Sequence, residues 1–113
     1  MAYDELTAER FRAAIADLSG ITEKRMMGGV CFLLNGHMIG GADKPKDGEP
    51  RFMFRLGKDN QEAGLALKGG QPMEMGGRKM RGFFFVDEGP CDDDLLQEWV
   101  DLSVSFAAKL PPK

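Results

Sequence analysis

The chain is 113 residues long, 42% hydrophobic and 29% charged, with a formal net charge of -3 and a sequence pI near 5.1. Those values exclude a disordered chain and describe one soluble domain over residues 1–113, long enough to bury roughly two thirds of its unfolded surface in a single core. No apolar run approaches the roughly 18 residues of a membrane span, and MAYDELTAER is charged where a signal peptide needs an apolar stretch, so the expected location is the cytoplasm with no membrane contact.

The first predicted element is a helix from Asp4 to Ser19, with Phe11, Ile15 and Leu18 at helical spacing, Ala8 and Ala14 beside them, Asp4 as its cap and Gly20 as its left-handed stop. Lys24 to Leu34 reads as the first strand. Met26, Val30, Phe32 and Leu34 share one side and Met27, Cys31 and Leu33 the other, so both faces need cover, from helices on one and from a further helix or a second subunit on the other. Gly28-Gly29 inside that run marks a bulge or a close approach of another backbone. Asn35-Gly36 is a strong hairpin signal, because a type I′ turn needs positive φ at both central residues.

His37 to Ala42 returns, ADKPKDGEP forms a polar loop, and Arg51 to Gly57 alternates Phe52, Phe54 and Leu56 with Arg51, Met53 and Arg55, completing a three-stranded meander. Lys58 to Lys68 has helical composition and ends at Gly69-Gly70. Pro72 to Met75 is a short strand, GGRKMRG a turn, and Phe83 to Val86 an apolar strand. Asp92, Asp93 and Asp94 open the last helix, whose stripe is Leu95, Trp99, Leu102, Phe106 and Leu110 before Pro111-Pro112 stops it.

Catalytic chemistry finds little to work with. Cys31 and Cys91 lack CxxC spacing and have one histidine between them, which gives no metal site; no GxxxxGK[ST] or GxGxxG motif calls for a cofactor. A two-residue turn at Asn35-Gly36 sets Leu34 opposite His37 and Cys31 opposite Gly40. Thiol and imidazole then point to opposite faces, and no catalytic residue emerges.

Charge is uneven. Residues 22 to 81 carry eleven Lys or Arg against seven Asp or Glu, while residues 87 to 101 carry seven acidic residues and no basic one. Lys24 and Arg25 at the base of the hairpin, with Met27 beside them, and Arg78, Lys79 and Arg81 before the apolar strand are the candidate binding residues. Direct nucleic-acid binding is disfavoured, since it needs on the order of six phosphate contacts and the acidic segment opposes approach.

EKRMMGGVCFLLNGHM, MRGFFFVDEG and DDDLLQEWVDLSVSFAAKLP together resemble the N-terminal domain of the TfoX (Sxy) family of competence regulators, over nearly the whole chain. The resemblance implies an α+β fold of helix, three-stranded antiparallel meander, helix, two strands and C-terminal helix, similar to type III secretion chaperones. Two-domain members act in bacterial gene regulation and natural competence alongside a catabolite activator protein. With the sequence ending at Lys113, the expectation is a standalone single-domain member without their helical C-terminal domain; the chain also carries Met27 where the motif usually has an aromatic residue.

The combined expectation is a non-enzymatic regulatory or protein-interaction module without cofactor, working through an unidentified protein partner and as a homodimer, its eight methionines supplying adaptable contact surface. The alternatives are a nucleic-acid-binding accessory protein using the two basic clusters, and binding of a small anion or an unrecognised enzyme.

Overall fold

Asn35 (φ 51°) and Gly36 (φ 88°) both adopt left-handed backbone, as a type I′ turn demands, and Leu34 pairs with His37 across them. The computed structural model around this hairpin describes residues 5–26, 29–45 and 48–111. Among the described residues the elements are α1 (Glu5–Ala14), β1 (Ile21–Met26), β2 (Gly29–Leu34), β3 (His37–Asp43), β4 (Arg51–Arg55), a 3-10 turn (Lys58–Asn60), α2 (Gln61–Ala66), β5 (Gly70–Met75), β6 (Arg78–Asp87) and α3 (Asp93–Ala108). The strands form one antiparallel sheet in the order β1-β2-β3-β4-β6-β5. The fold is α+β.

The meander has four strands where three were expected. The run from Lys24 to Leu34 is two strands, for Met26 pairs with Gly29 and Ile21 with Leu34. Gly29 therefore opens β2 instead of marking a bulge, and the close backbone approach is present there, since a Cβ on Gly29 would lie 2.6 Å from the Ala42 carbonyl oxygen. The bulge lies in β3, where the register shifts so that Phe32 faces Gly40 and Leu33 faces Met38. Ile39 is the extra residue and is fully buried, which sets Cys31 opposite Gly41 instead of Gly40.

Two other boundaries move. GGRKMRG contains a turn only at Gly76 and Gly77, both with positive φ, and Arg78 already begins the ten-residue β6. The first helix ends at Ala14, so Leu18 lies beyond it and is exposed, while Phe11 and Ile15 are buried. Gly20 does adopt the left-handed backbone, at φ 81°. The proposed cap Asp4, Met27 and Gly28, and Pro112 lie outside the described residues.

The core forms on one face of the sheet. Phe11 of α1 stacks on Phe32 with ring centroids 4.5 Å apart and on Phe54 at 5.6 Å. Trp99 of α3 stacks on Phe54 and tilts against Phe84, both at 5.4 Å. α2 lies on the same face, because Gly64 abuts Phe84 and Leu56 so closely that a Cβ there would meet their side chains. Asp92 caps α3 by accepting from the Leu95 N–H.

The buried stripe of α3 is Leu96, Trp99, Val100, Ser103 and Ala107. Leu95, Leu102 and Phe106, expected in the core, are only partly buried. Ser103 and Ala107 are small enough to bring the helix close to the sheet, and this turns the larger side chains toward its flanks. α1 is fastened by Arg10, which donates from Nη1 to Glu88 at 2.7 Å and from Nη2 to the Cys91 carbonyl at 2.7 Å and to Asp93 at 2.9 Å. No helix among the described residues is long and apolar enough to cross a membrane.

Candidate functional site

Side chains alternate across a strand, so the residues between those of the core point to the other side of the sheet. One row runs through five strands in register: Lys24, Cys31, Gly41, Met53 and Phe85. Rows beside it add Leu33 and Met38, then Arg55 and Phe83. All three helices lie on the opposite face, and nothing among the described residues forms a second layer here.

This helix-free face carries a groove of about 280 Å³ whose walls include Cys31, Met38, Met53, Met73, Met80 and Phe83. Its four methionines come one each from β3, β4, β5 and β6. At one end Asp43 and Arg51 form an ion pair at 2.8 Å, and the Arg51 guanidinium lies 3.6 Å from the centroid of Phe85. The surface is thus an apolar, deformable trough with a neutralised polar rim.

The sequence-derived candidates do not converge. Lys24 stands on the helix-free side opposite Cys31, whereas Arg25 pairs with Val30 on the helix side. Met27 lies outside the described residues. Arg78, Lys79 and Arg81 are exposed on β6, four inter-strand steps from β1, on the order of 19 Å at normal strand spacing. The two basic clusters do not form one surface.

A different cationic group was not legible in the sequence. Arg81 shares a depression of about 300 Å³ with Arg55 and Lys58, walled by Gly57, Asp59, Phe83 and Phe106. The Arg55 guanidinium lies 5.0 Å from the Phe106 ring centroid. The clue available beforehand was Arg55 at the end of an alternating strand just before Gly57, but its convergence with Arg81 depends on the pairing of β4 with β6.

Among the described residues, the histidine and the two thiols do not come together as nucleophile and base. His37 is buried on the helix side, and its Nε2 lies 2.6 Å from the Pro111 carbonyl oxygen. Cys31 is on the other face. Burial, with help from Asp43, pushes the Cys31 thiol above its ordinary value against the opposing charge of Lys24. Burial likewise drives Cys91 up to about 11. Neither thiol has the thiolate character a nucleophile needs. Among the described residues no three His, Cys, Asp or Glu side chains converge to hold a metal.

The family model of the TfoX N-terminal domain matches residues 13–107. The chain belongs to this family. No curated protein and no solved structure matches it. The matched span of this TfoX N-terminal domain reaches from the end of α1 through the whole sheet to the last turn of α3, so the groove and both basic clusters fall within it.

Proposed function

We propose that this TfoX N-terminal domain is a non-enzymatic regulatory module that works through protein contacts, with the helix-free face of its sheet as the contact surface and a second copy of the chain as its occupant. The observation that carries the reading is the apolar character of that face. An antiparallel sheet with one wet side alternates apolar and polar residues, but here the outward positions of β2, β3, β4 and β6 include Cys31, Leu33, Met38, Met53 and Phe83. A contiguous apolar patch of this kind marks an interaction surface. A two-fold dimer supplies identical apolar faces to each other without a separate partner.

Among the described residues, the burial of Cys31, Cys91 and His37, with Cys31 and His37 on opposite faces of the sheet, supports the non-enzymatic part, and family membership supports a regulatory type of role. Methyl-labelled methionine is the direct probe. Resonances of Met38, Met53, Met73 and Met80 should shift together as protein concentration rises from micromolar to millimolar. Spectra independent of concentration would count against self-association through this face, and turnover of generic ester, phosphate or peptide substrates that His37→Ala abolishes would overturn the non-enzymatic reading.

A further inference from the structure

We propose that Arg55, Lys58 and Arg81 form a binding site for the phosphate group of a small phosphorylated ligand. The three cations come from β4, the 3-10 turn and β6 and meet around one depression. Arg10, Arg12 and Arg51 each hold a carboxylate. Among the described residues none of Arg55, Lys58 and Arg81 is in an ion pair. Gathering three cations around a single carboxylate, Asp59, is unfavourable in the free protein, and a bound anion removes that cost.

The charge count selects the anion. With Asp59 in the same wall, three cations and one carboxylate leave a balance of two positive charges. A phosphate monoester carries about -1.5 to -2 near neutral pH, against -1 for a carboxylate. Two guanidinium groups also present the paired N–H donors that match phosphate oxygens. The depression of about 300 Å³ is at the small end of ligand sites, and Phe83 and Phe106 offer apolar wall for the rest of the molecule.

The backbone beneath is held rigidly. Leu56 N–H donates to the Gly82 carbonyl at 2.6 Å, Gly82 N–H donates to Gln61 Oε1 at 2.6 Å, and Asn60 Nδ2 donates to the Leu56 carbonyl at 2.9 Å. Gly57 and Gly82 approach so closely that a Cβ on Gly82 would lie 2.5 Å from the Gly57 carbonyl carbon. The anchor points of the three cations are therefore fixed relative to one another before a ligand arrives, which lowers the cost of binding.

The site is separate from the proposed self-association groove except for Phe83, which lines both. Titration of nitrogen-15-labelled protein with phenyl phosphate, followed at backbone amides and arginine Nε–H groups, tests it. The expected result is saturable shifts confined to residues 55–61 and 81–83, with affinity lowered roughly tenfold or more in Arg55→Gln/Arg81→Gln by loss of two charge-assisted contacts. Lys58→Gln, at an exposed position on the 3-10 turn, should weaken binding severalfold and leaves a second measure if the double variant does not fold; Lys24→Gln should bind as the parent does. Absence of shifts, unsaturable shifts, or equal shifts at Lys24, Arg78 and Lys79 would overturn the proposal. A single-stranded oligonucleotide binding more tightly than phenyl phosphate and shifting both β1 and β6 would replace it with a nucleic-acid surface.

Discussion

Arg51 and Phe85 are stacked across the helix-free face, guanidinium carbon 3.6 Å from ring centroid, while Arg51 Nε donates to Asp43 Oδ1 at 2.8 Å. One side chain thereby ties β3, β4 and β6 together at the rim of the groove. Arg51→Ala should cost about 1–2 kcal/mol, more than an exposed ion pair alone, because the stacked stem and cation–π contact are lost with the charge. Arg51→Lys should recover only part of it, since an ammonium lacks the planar fork. Urea denaturation gives both values, and a neutral Arg51→Ala would show that the stack contributes nothing.

Gly57 and Phe106 make a second testable pair. Gly57 has φ 85° and ψ 152°, a region open essentially to glycine alone, and a Cβ there would meet the Phe106 ring at 2.3 Å. Gly57→Ala should therefore destabilise by roughly 2–4 kcal/mol through backbone strain and overpacking combined. Phe106→Ala should cost less than the roughly 3–5 kcal/mol of a buried aromatic deletion, because the ring is only partly buried. In the double variant the clash disappears and the strain remains, so the two effects should sum to less than additivity. Strict additivity in thermal or urea unfolding would contradict the contact.

Thiol chemistry should be slow in the native state. Burial holds both cysteines above their ordinary values, Cys91 at about 11, and the thiolate is the reactive form. Near pH 8 a disulfide reagent should label both cysteines in unfolded protein within minutes and the folded protein far more slowly. Rapid native labelling of Cys91 would mean that the loop before α3 opens.

Acid should erase a specific contribution from Glu23. Hydrogen bonding to Arg12, opposed by burial and aided by the charges of Arg12 and Arg25, holds its carboxyl below the ordinary value. A carboxyl depressed on folding stabilises the protein above its unfolded value near 4.5 and loses that contribution as pH falls through the folded value. Glu23→Gln should thus cost less than about 1 kcal/mol at pH 7, as half-exposed pairs do, and nothing at pH 2. Parallel stability curves across that range would contradict the assignment.

The elements with strong local chemistry were legible in the sequence. Asn35-Gly36 located the hairpin and Asp92 the start of α3, because each depends on the conformation or hydrogen bonding of a few adjacent residues. β1 was not legible as a separate strand: TEKR has no apolar side to reveal, since it forms a solvated sheet edge, where charge discourages further pairing. The basic run of β6 resembled a turn for the same reason. Residue size does not reveal the buried stripe of α3, because small Ser103 and Ala107 are buried there while the larger Leu102 and Phe106 are only partly buried. The Arg55, Lys58 and Arg81 cluster exists only through the pairing of β4 with β6, a long-range relationship that no local spacing announces.

Self-association through the helix-free face is tested most directly by light scattering across micromolar to millimolar concentration on the parent chain and on Met53→Glu. Met53 lies in the groove with its side chain only partly buried, so a charge placed there is tolerated in a monomer and opposed in a dimer. The parent mass should rise from 12.4 kDa toward twice that value, with Met53→Glu folded and monomeric throughout. A parent chain that stays at 12.4 kDa across the whole range, or a dimer that Met53→Glu leaves intact, would contradict it.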